Sequence, residues 1–220
     1  MLGIVCAMER EIREVLKHCT NVHTEQKYNK TFHRGVLNNT EVVAVQSGIG
    51  KVTAAITTAI LCESYHPDYV INVGIAGGLT EDLGVLDCVL AQKIDQWDYD
   101  SRALGDPRGY DLSERTCYAS EILNKKMYSA IPEAHIGAMV SGDAFVSTEE
   151  QKNVIAEFFP EAIACDMEGA AIALSAREHG VPFAILRTIS DSGSEVSYNE
   201  LCEIASKKAG ECIAKVCENL

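Results

Sequence analysis

Short apolar runs of strand length recur along the whole chain, with amphipathic helical patterns between several of them. The runs lie at 2–7, 42–46, 69–73, 85–92, 136–140, 162–165 and 183–189, and the spacing predicts helices over 9–19, 51–64, 120–130, 148–158, 168–179 and 198–219. Apolar runs without polar alternation have to be covered on both faces, so this order calls for a mixed or mostly parallel sheet between helical layers. With 220 residues, 47% of them hydrophobic, and no Pro/Gly/Ser-rich linker, residues 1–220 are expected to form one domain around one core. Thr148-Glu149-Glu150-Gln151 has the pattern of a capping box at a helix start. The longest irregular stretch, 95–112, holds Trp97, Tyr99, Gly105, Pro107 and Gly109, and loops of that length commonly serve as lids or binding loops.

Composition excludes several classes of function. The formal net charge is −13 and basic residues never cluster beyond Lys125-Lys126 and Lys207-Lys208, so no electrostatic footprint for nucleic acid exists. The first apolar run has no basic region before it and is too short for a signal or membrane helix. Nine cysteines contain no Cys-x-x-Cys pair, which reads as reduced thiols in a cytoplasmic protein. Six scattered histidines offer no metal-ligand spacing, so neither a metal nor another cofactor is expected. Ser47-Gly48-Ile49-Gly50-Lys51 lacks the spacing of a phosphate loop, and Gly74-Ile75-Ala76-Gly77-Gly78 that of a dinucleotide fingerprint. Both read as glycine turns at strand ends that let a ligand approach the backbone. No Gly-x-Ser-x-Gly elbow is present, and Cys6 and Cys165 sit in apolar strands as core residues.

Acidic residues stand where strands run into loops or helices: Glu11, Asp166, Glu168 and Asp191. In an open α/β sheet that edge is where ligands bind, and carboxylates gathered there suit acid-base work on a neutral or cationic small molecule. Each has a plainer reading as well. Glu11 and Glu168 could be first-turn glutamates favoured by the helix dipole, Asp166 a helix cap, and Ser190-Asp191-Ser192-Gly193 a turn. Glu9 and Arg13, four apart, form a solvated pair. Arg187 lies inside an apolar strand, where a charge has to be paired or face a cavity, and Glu11 or Glu168 is the expected partner.

As an ordered set, Cys6-Ala7-Met8-Glu9-Arg10-Glu11, Ser47-Gly48-Ile49-Gly50-Lys51, Gly74-Ile75-Ala76-Gly77-Gly78, Ser141-Gly142-Asp143-Ala144-Phe145-Val146, Asp166-Met167-Glu168 and Ser190-Asp191 resemble the 5′-methylthioadenosine/S-adenosylhomocysteine nucleosidases of the purine nucleoside phosphorylase superfamily. The resemblance runs from residue 3 to the C-terminal helix. It implies a single-domain, three-layer α/β/α sandwich with a mixed, partly closed central sheet. It also implies hydrolysis of the N-glycosidic bond of methylthioadenosine, S-adenosylhomocysteine and 5′-deoxyadenosine in methionine salvage. The homodimer it implies would bring the 95–112 loop near the partner's site.

Roles follow from the same resemblance. Glu11 would activate water, Asp191 protonate adenine N7 and Arg187 orient the water and the carboxylates. Glu168, with the Met167 backbone, would hold the ribose hydroxyls. Phe145 would stack on the purine, the Val146 backbone would read its edge, and Ile49 would line the 5′-alkylthio pocket. Met8, Ile75, Ala76, Gly77, Asp166 and Ser190 complete the implied substrate contacts. Ile75 stands where many relatives carry serine, Asp166 where glutamate is common, and Leu104 and Asp106 where some supply aromatic residues. The rivals are a phosphorolytic nucleoside phosphorylase, a related nucleosidase such as futalosine hydrolase, and a nucleoside sensor without turnover. The first resembles its own relatives in an arginine and a hydroxyl around the central glycine, and Asn72-Val73-Gly74-Ile75 has neither.

Overall fold

The strands at the centre are apolar on both sides and divide their side chains between two cores. In the computed structural model, which describes residues 1–112, 114–191, 198–218 and 220, with Asp191 and Tyr198 as backbone only, β1 (Leu2–Cys6) turns Val5 to one core and Leu2, Ile4 and Cys6 to the other. Helices α2 (Lys51–Tyr65) and α5 (Gly169–Glu178) cover the first face, while α1 (Glu9–Leu16), α3 (Glu121–Ala130) and α6 (Tyr198–Cys217) cover the second. The run of small residues Gly169-Ala170-Ala171-Ile172-Ala173 is buried, which lets α5 lie close to its sheet and to α2, where Ser175 Oγ donates to Ala55 O at 3.2 Å. The expected sandwich is therefore present, and no helix among the described residues is long and apolar enough to cross a membrane.

The sheet is mixed and curls on itself. Its remaining strands are β2 (Cys19–Lys27), β3 (Lys30–Leu37), β4 (Thr40–Gln46), β5 (Tyr69–Gly78), β6 (Cys88–Gln96), β7 (Cys117–Tyr118), β8 (His135–Ser141), β9 (Ala162–Asp166) and β10 (Phe183–Asp191). Strand β5 runs parallel to β1 and β10 and also pairs antiparallel with β9 through Gly77–Cys165 and Gly78–Ala164. Together with β10–β6, β6–β8 and β8–β9 this closes a ring of strands, from which β1, β4, β3 and β2 extend as an open wing. The carboxyl ends of β1, β5, β9 and β10 consequently face one another across a short distance rather than spreading along a flat edge.

Several boundaries differ from the sequence expectation. Strands β2 and β3 were not expected: β2 is almost wholly exposed and β3 buries only Phe32 and Leu37, so polar content conceals the period of a solvated hairpin wing. Cys19, expected to end the first helix, instead begins β2. Gly74-Ile75-Ala76-Gly77-Gly78 is not a turn but the second half of β5, held straight by β9 and β10 on its two sides. Residues 85–87 precede β6, with Leu86 left-handed at φ 74°, and β6 itself continues to Gln96. Ser120, Thr148 and Glu168 stand just outside α3, α4 (Glu149–Phe158) and α5 as their N-caps, and Thr148 with Gln151 forms the capping box. The 95–112 stretch starts at the end of β6 and contains one short 3₁₀ turn, Arg102–Leu104.

Helix α6 ties the second face together. Asn38 Nδ2 donates to Ala214 O at 2.5 Å and Thr40 Oγ1 to Cys217 O at 3.0 Å. At Gly210 a Cβ would stand 2.9 Å from the Glu14 backbone carbon and Cβ, so glycine is what lets α6 lie against α1. Gly210→Val is expected to destabilise the fold by about 2 kcal/mol through this overpacking, measured as the urea unfolding free energy.

Candidate active site

Arg187 is fully buried in β10, directly across the ladder from Gly74 of β5. Its Nε and Nη2 donate to Asp166 Oδ2 at 2.9 and 2.6 Å, Nη2 also donates to Asn72 Oδ1 at 2.5 Å, and Glu168 Oε2 lies 3.8 Å away. Of the two expected partners Glu168 is present as a longer ion pair, while the hydrogen-bonded carboxylate is Asp166. Ring closure sets the end of β9 beside Arg187, and the short aspartate reaches it from there. Nη1 has no hydrogen-bond partner among the described residues. A Cβ at position 74 would collide with that Nη1 and with Glu11 Oε1, so Gly74 is required by close approach.

Glu11 is buried at the third position of α1. Its Oε2 accepts from the Ala7 and Met8 amides, both at 2.8 Å, which places it at the helix start as the first-turn reading has it. Its Oε1 accepts from the Ile75 amide at 2.9 Å, a bond across to β5 that helix capping does not need. Burial raises its pKa above the ordinary value, against the opposing pull of Arg187 and the three amides.

Asp166 combines two duties. It caps α5, accepting from the Gly169 amide at 3.1 Å and the Glu168 amide at 3.3 Å, and it also holds Arg187 and receives the Ser141 hydroxyl. Glu168 Oε1 accepts from the Gly50 amide at 2.9 Å. Gly50 has φ 98°, a left-handed conformation open to glycine, and it caps α2. Burial first, then the neighbouring Asp166 charge, pushes the Glu168 carboxyl up to about 7, with Arg187 opposing. One guanidinium pairs with two carboxylates while Glu11 stands near, and it is Glu168 that feels the neighbouring negative charge.

These groups border one concave cleft. Its lining brings together Glu11 and Glu168 with Met8, Ile49, Ile75, Ala76, Gly77, Phe145, Val146, Asp166, Met167 and Ser190, and adds Ala7, Ala144 and Cys165. Arg187 stands behind the lining. Asp191 closes β10 opposite Gly77, and its side chain lies outside the described residues, as do Ser192 and Gly193, where a turn was expected. Asn72 and Ser141 were not singled out from the sequence. Their signal was the one that marked Arg187, a polar residue within or ending an apolar run.

The phosphorylase superfamily model matches residues 1–219. A 5′-methylthioadenosine/S-adenosylhomocysteine nucleosidase of Staphylococcus haemolyticus is 35% identical over 225 residues, 97% of each chain. The chain belongs to the phosphorylase superfamily and, within it, to this nucleosidase family. Among solved structures, the nucleosidase of that name from Neisseria meningitidis, in complex with methylthio-immucillin-A, superimposes with a TM-score of 0.93 at 31% identity, covering 100% of this chain and 99% of that one. Futalosine hydrolase of Helicobacter pylori fits this superfamily member equally well, with a TM-score of 0.93 at 30% identity over 100% and 97% of the two chains.

The raised Glu168 carboxyl has a consequence for stability. Between the ordinary glutamate value of 4.5 and about 7 the folded chain holds a proton that the unfolded chain has released, so stability falls as pH rises through that window. Thermal midpoints measured from pH 5 to pH 8 are expected to drop less in Glu168→Gln than in the wild type.

Proposed function

We propose that this chain hydrolyses the N-glycosidic bond of 5′-methylthioadenosine and S-adenosylhomocysteine, releasing adenine and the 5′-substituted ribose. The observation that carries the proposal is the cleft's charge. Three carboxylates line it and no lysine or arginine does among the described residues. A phosphate dianion would meet repulsion there, whereas neutral water would not, so hydrolysis is favoured over phosphorolysis. The names of the curated relatives support the same substrates.

Breaking the bond leaves positive charge on the ribose and negative charge on the departing base. Glu11 takes the proton of the attacking water. Three backbone amides fix its orientation, and burial makes it a stronger base than an exposed glutamate. Because Ile75 acts here through its amide, isoleucine in place of serine leaves the base's support intact. Glu168, anchored by Gly50, accepts the ribose hydroxyls together with the Met167 backbone. Arg187 holds Asp166 and turns its remaining Nη1 toward the Glu11 side of the cluster, where it orients the water. Asp191 protonates N7, Phe145 stacks on the purine, the Val146 backbone reads its edge, and Met8 and Ile49 line the 5′ pocket. General acid and general base steps of this kind each contribute about 10²–10⁴-fold.

Residues 1–220 act as one nucleoside-hydrolase domain, and no cofactor is assigned a role. Two copies pair in this proposal, in a cytoplasmic setting of methionine salvage that suits nine cysteines outside any disulfide. Ile49, Val52 and Ile56 present an exposed apolar face at the start of α2, and Leu104 of the 95–112 loop is 83% exposed. Val52→Glu is expected to shift the dimer toward monomer in light scattering. The second reading, futalosine hydrolysis, has the equally good structural match in its favour.

The decisive assay measures base release with and without phosphate from methylthioadenosine, S-adenosylhomocysteine, 5′-deoxyadenosine, inosine and futalosine. Phosphate-independent release of adenine from the first two is expected, and release only with phosphate would overturn the proposal. Asp191→Asn and Glu11→Gln are each expected to lower kcat by at least about 10²-fold with substrate binding still measurable by calorimetry. Near-normal turnover in either variant would refute that residue's role.

A further inference from the structure

The cleft does not end at Ile49. Ala7, Met8 and Ile49 also line a second, shallower groove, which continues past Gln46 and Gly48 to Arg10 on α1 and Glu203 on α6. On the nucleosidase reading, Ile49 marks the 5′ end of the bound ribose, so a long 5′ substituent leaves along this groove.

The rim of the groove carries charges of both signs, and they are engaged to very different degrees. Arg13 is saturated by Glu9 at 3.0 Å, Glu203 Oε2 at 2.5 Å and Glu14 at 3.4 Å. Arg10, with its side chain only 26% exposed, has much weaker company. Its Nη1 lies 3.8 Å from Glu203 Oε1 and 3.4 Å from Asn199 O, both at the long limit of such contacts. Packing therefore holds the guanidinium in place while, among the described residues, its planar fork stays largely unspent, and a fork of that shape matches a carboxylate. Glu203 is fixed through Oε2 by Arg13, which leaves Oε1 as an acceptor beside Arg10. A cation and an anion receptor, side by side at the mouth of a 5′ groove, match the two charges of an α-amino acid.

We infer that Arg10 and Glu203 form a subsite for the α-amino-acid end of a 5′-thioether nucleoside, Arg10 taking the α-carboxylate and Glu203 the α-ammonium, so that the chain distinguishes S-adenosylhomocysteine from methylthioadenosine at this rim. The inference rests on the nucleosidase reading and names the part of the substrate that reading leaves unassigned. Neither residue touches the reacting atoms. Their effect falls on KM for one substrate class and leaves the chemical step alone.

The test measures kcat and KM for both substrates in the wild type, Arg10→Met and Arg10→Lys. Arg10→Met is expected to raise KM for S-adenosylhomocysteine about fivefold, the size of a partly exposed ionic contact, while kcat for that substrate stays near the wild-type value. The ratio of the two substrates' kcat/KM values falls by the same factor, and Arg10→Lys recovers part of it. Added salt raises KM for S-adenosylhomocysteine and leaves that for methylthioadenosine unmoved. An equal change for both substrates would show that the Arg10–Glu203 contact only supports the fold, and an unchanged ratio would show that the tail passes without recognition. Either result overturns the inference. If the wild type releases adenine from neither substrate, the nucleosidase reading fails and the subsite falls with it. If it hydrolyses both and the ratio does not move, the subsite alone falls.

Discussion

A single buried guanidinium organises this molecule. Removing Arg187 from water costs several kcal/mol before any partner is counted, and only a dense set of acceptors makes that tolerable. Asn72 from β5, Asp166 from the end of β9 and, at longer range, Glu168 just beyond it provide them. Asn72 is itself fixed by donating to Val5 O at 2.9 Å, so β1, β5, β9 and β10 are all drawn into one polar cluster inside an apolar core. The charge balance of that cluster sets the chemistry. Burial raises the proton affinity of both Glu11 and Glu168, and at Glu168 the neighbouring Asp166 charge adds to it.

Closure of the sheet is what makes such a cluster geometrically available. In a flat doubly wound sheet the ends of β9 and β5 would stand strands apart. Here two residue pairs join them, and Asp166 comes to rest beside Arg187 with Ser141 opposite in the β8–β9 register. Glycines at the crossing points permit the approach. Gly74 leaves the volume into which both Arg187 Nη1 and Glu11 Oε1 project, so the pairing of β5 with β10 and the placement of Glu11 are one packing solution.

Much of this was legible from residue patterns. Glu11, Asp166, Glu168 and Arg187 announced themselves as charges at the ends or in the middle of apolar runs, where burial demands an explanation. Asn72 and Ser141 carried the same kind of signal more quietly, because a neutral polar residue has a smaller burial cost and draws less notice. The hydrogen-bonded partner of Arg187, Asp166, was not legible, since it depends on which strands the ring brings together, whereas the longer pair with Glu168 was expected. The β2–β3 wing escaped because its residues face solvent and carry no apolar period. The second half of β5 escaped because Gly74, Gly77 and Gly78 locally favour a turn, a preference overridden by neighbours on both sides.

The bond from the Gly50 amide to Glu168 joins the first residue before α2 to the first residue before α5. Helix α2 carries the exposed apolar side chains Val52 and Ile56 on its outer surface. That surface begins at the same short segment that steadies the Glu168 carboxylate. The outer surface of α2 and the Glu168 carboxylate are therefore joined through one backbone amide, without passing through the sheet.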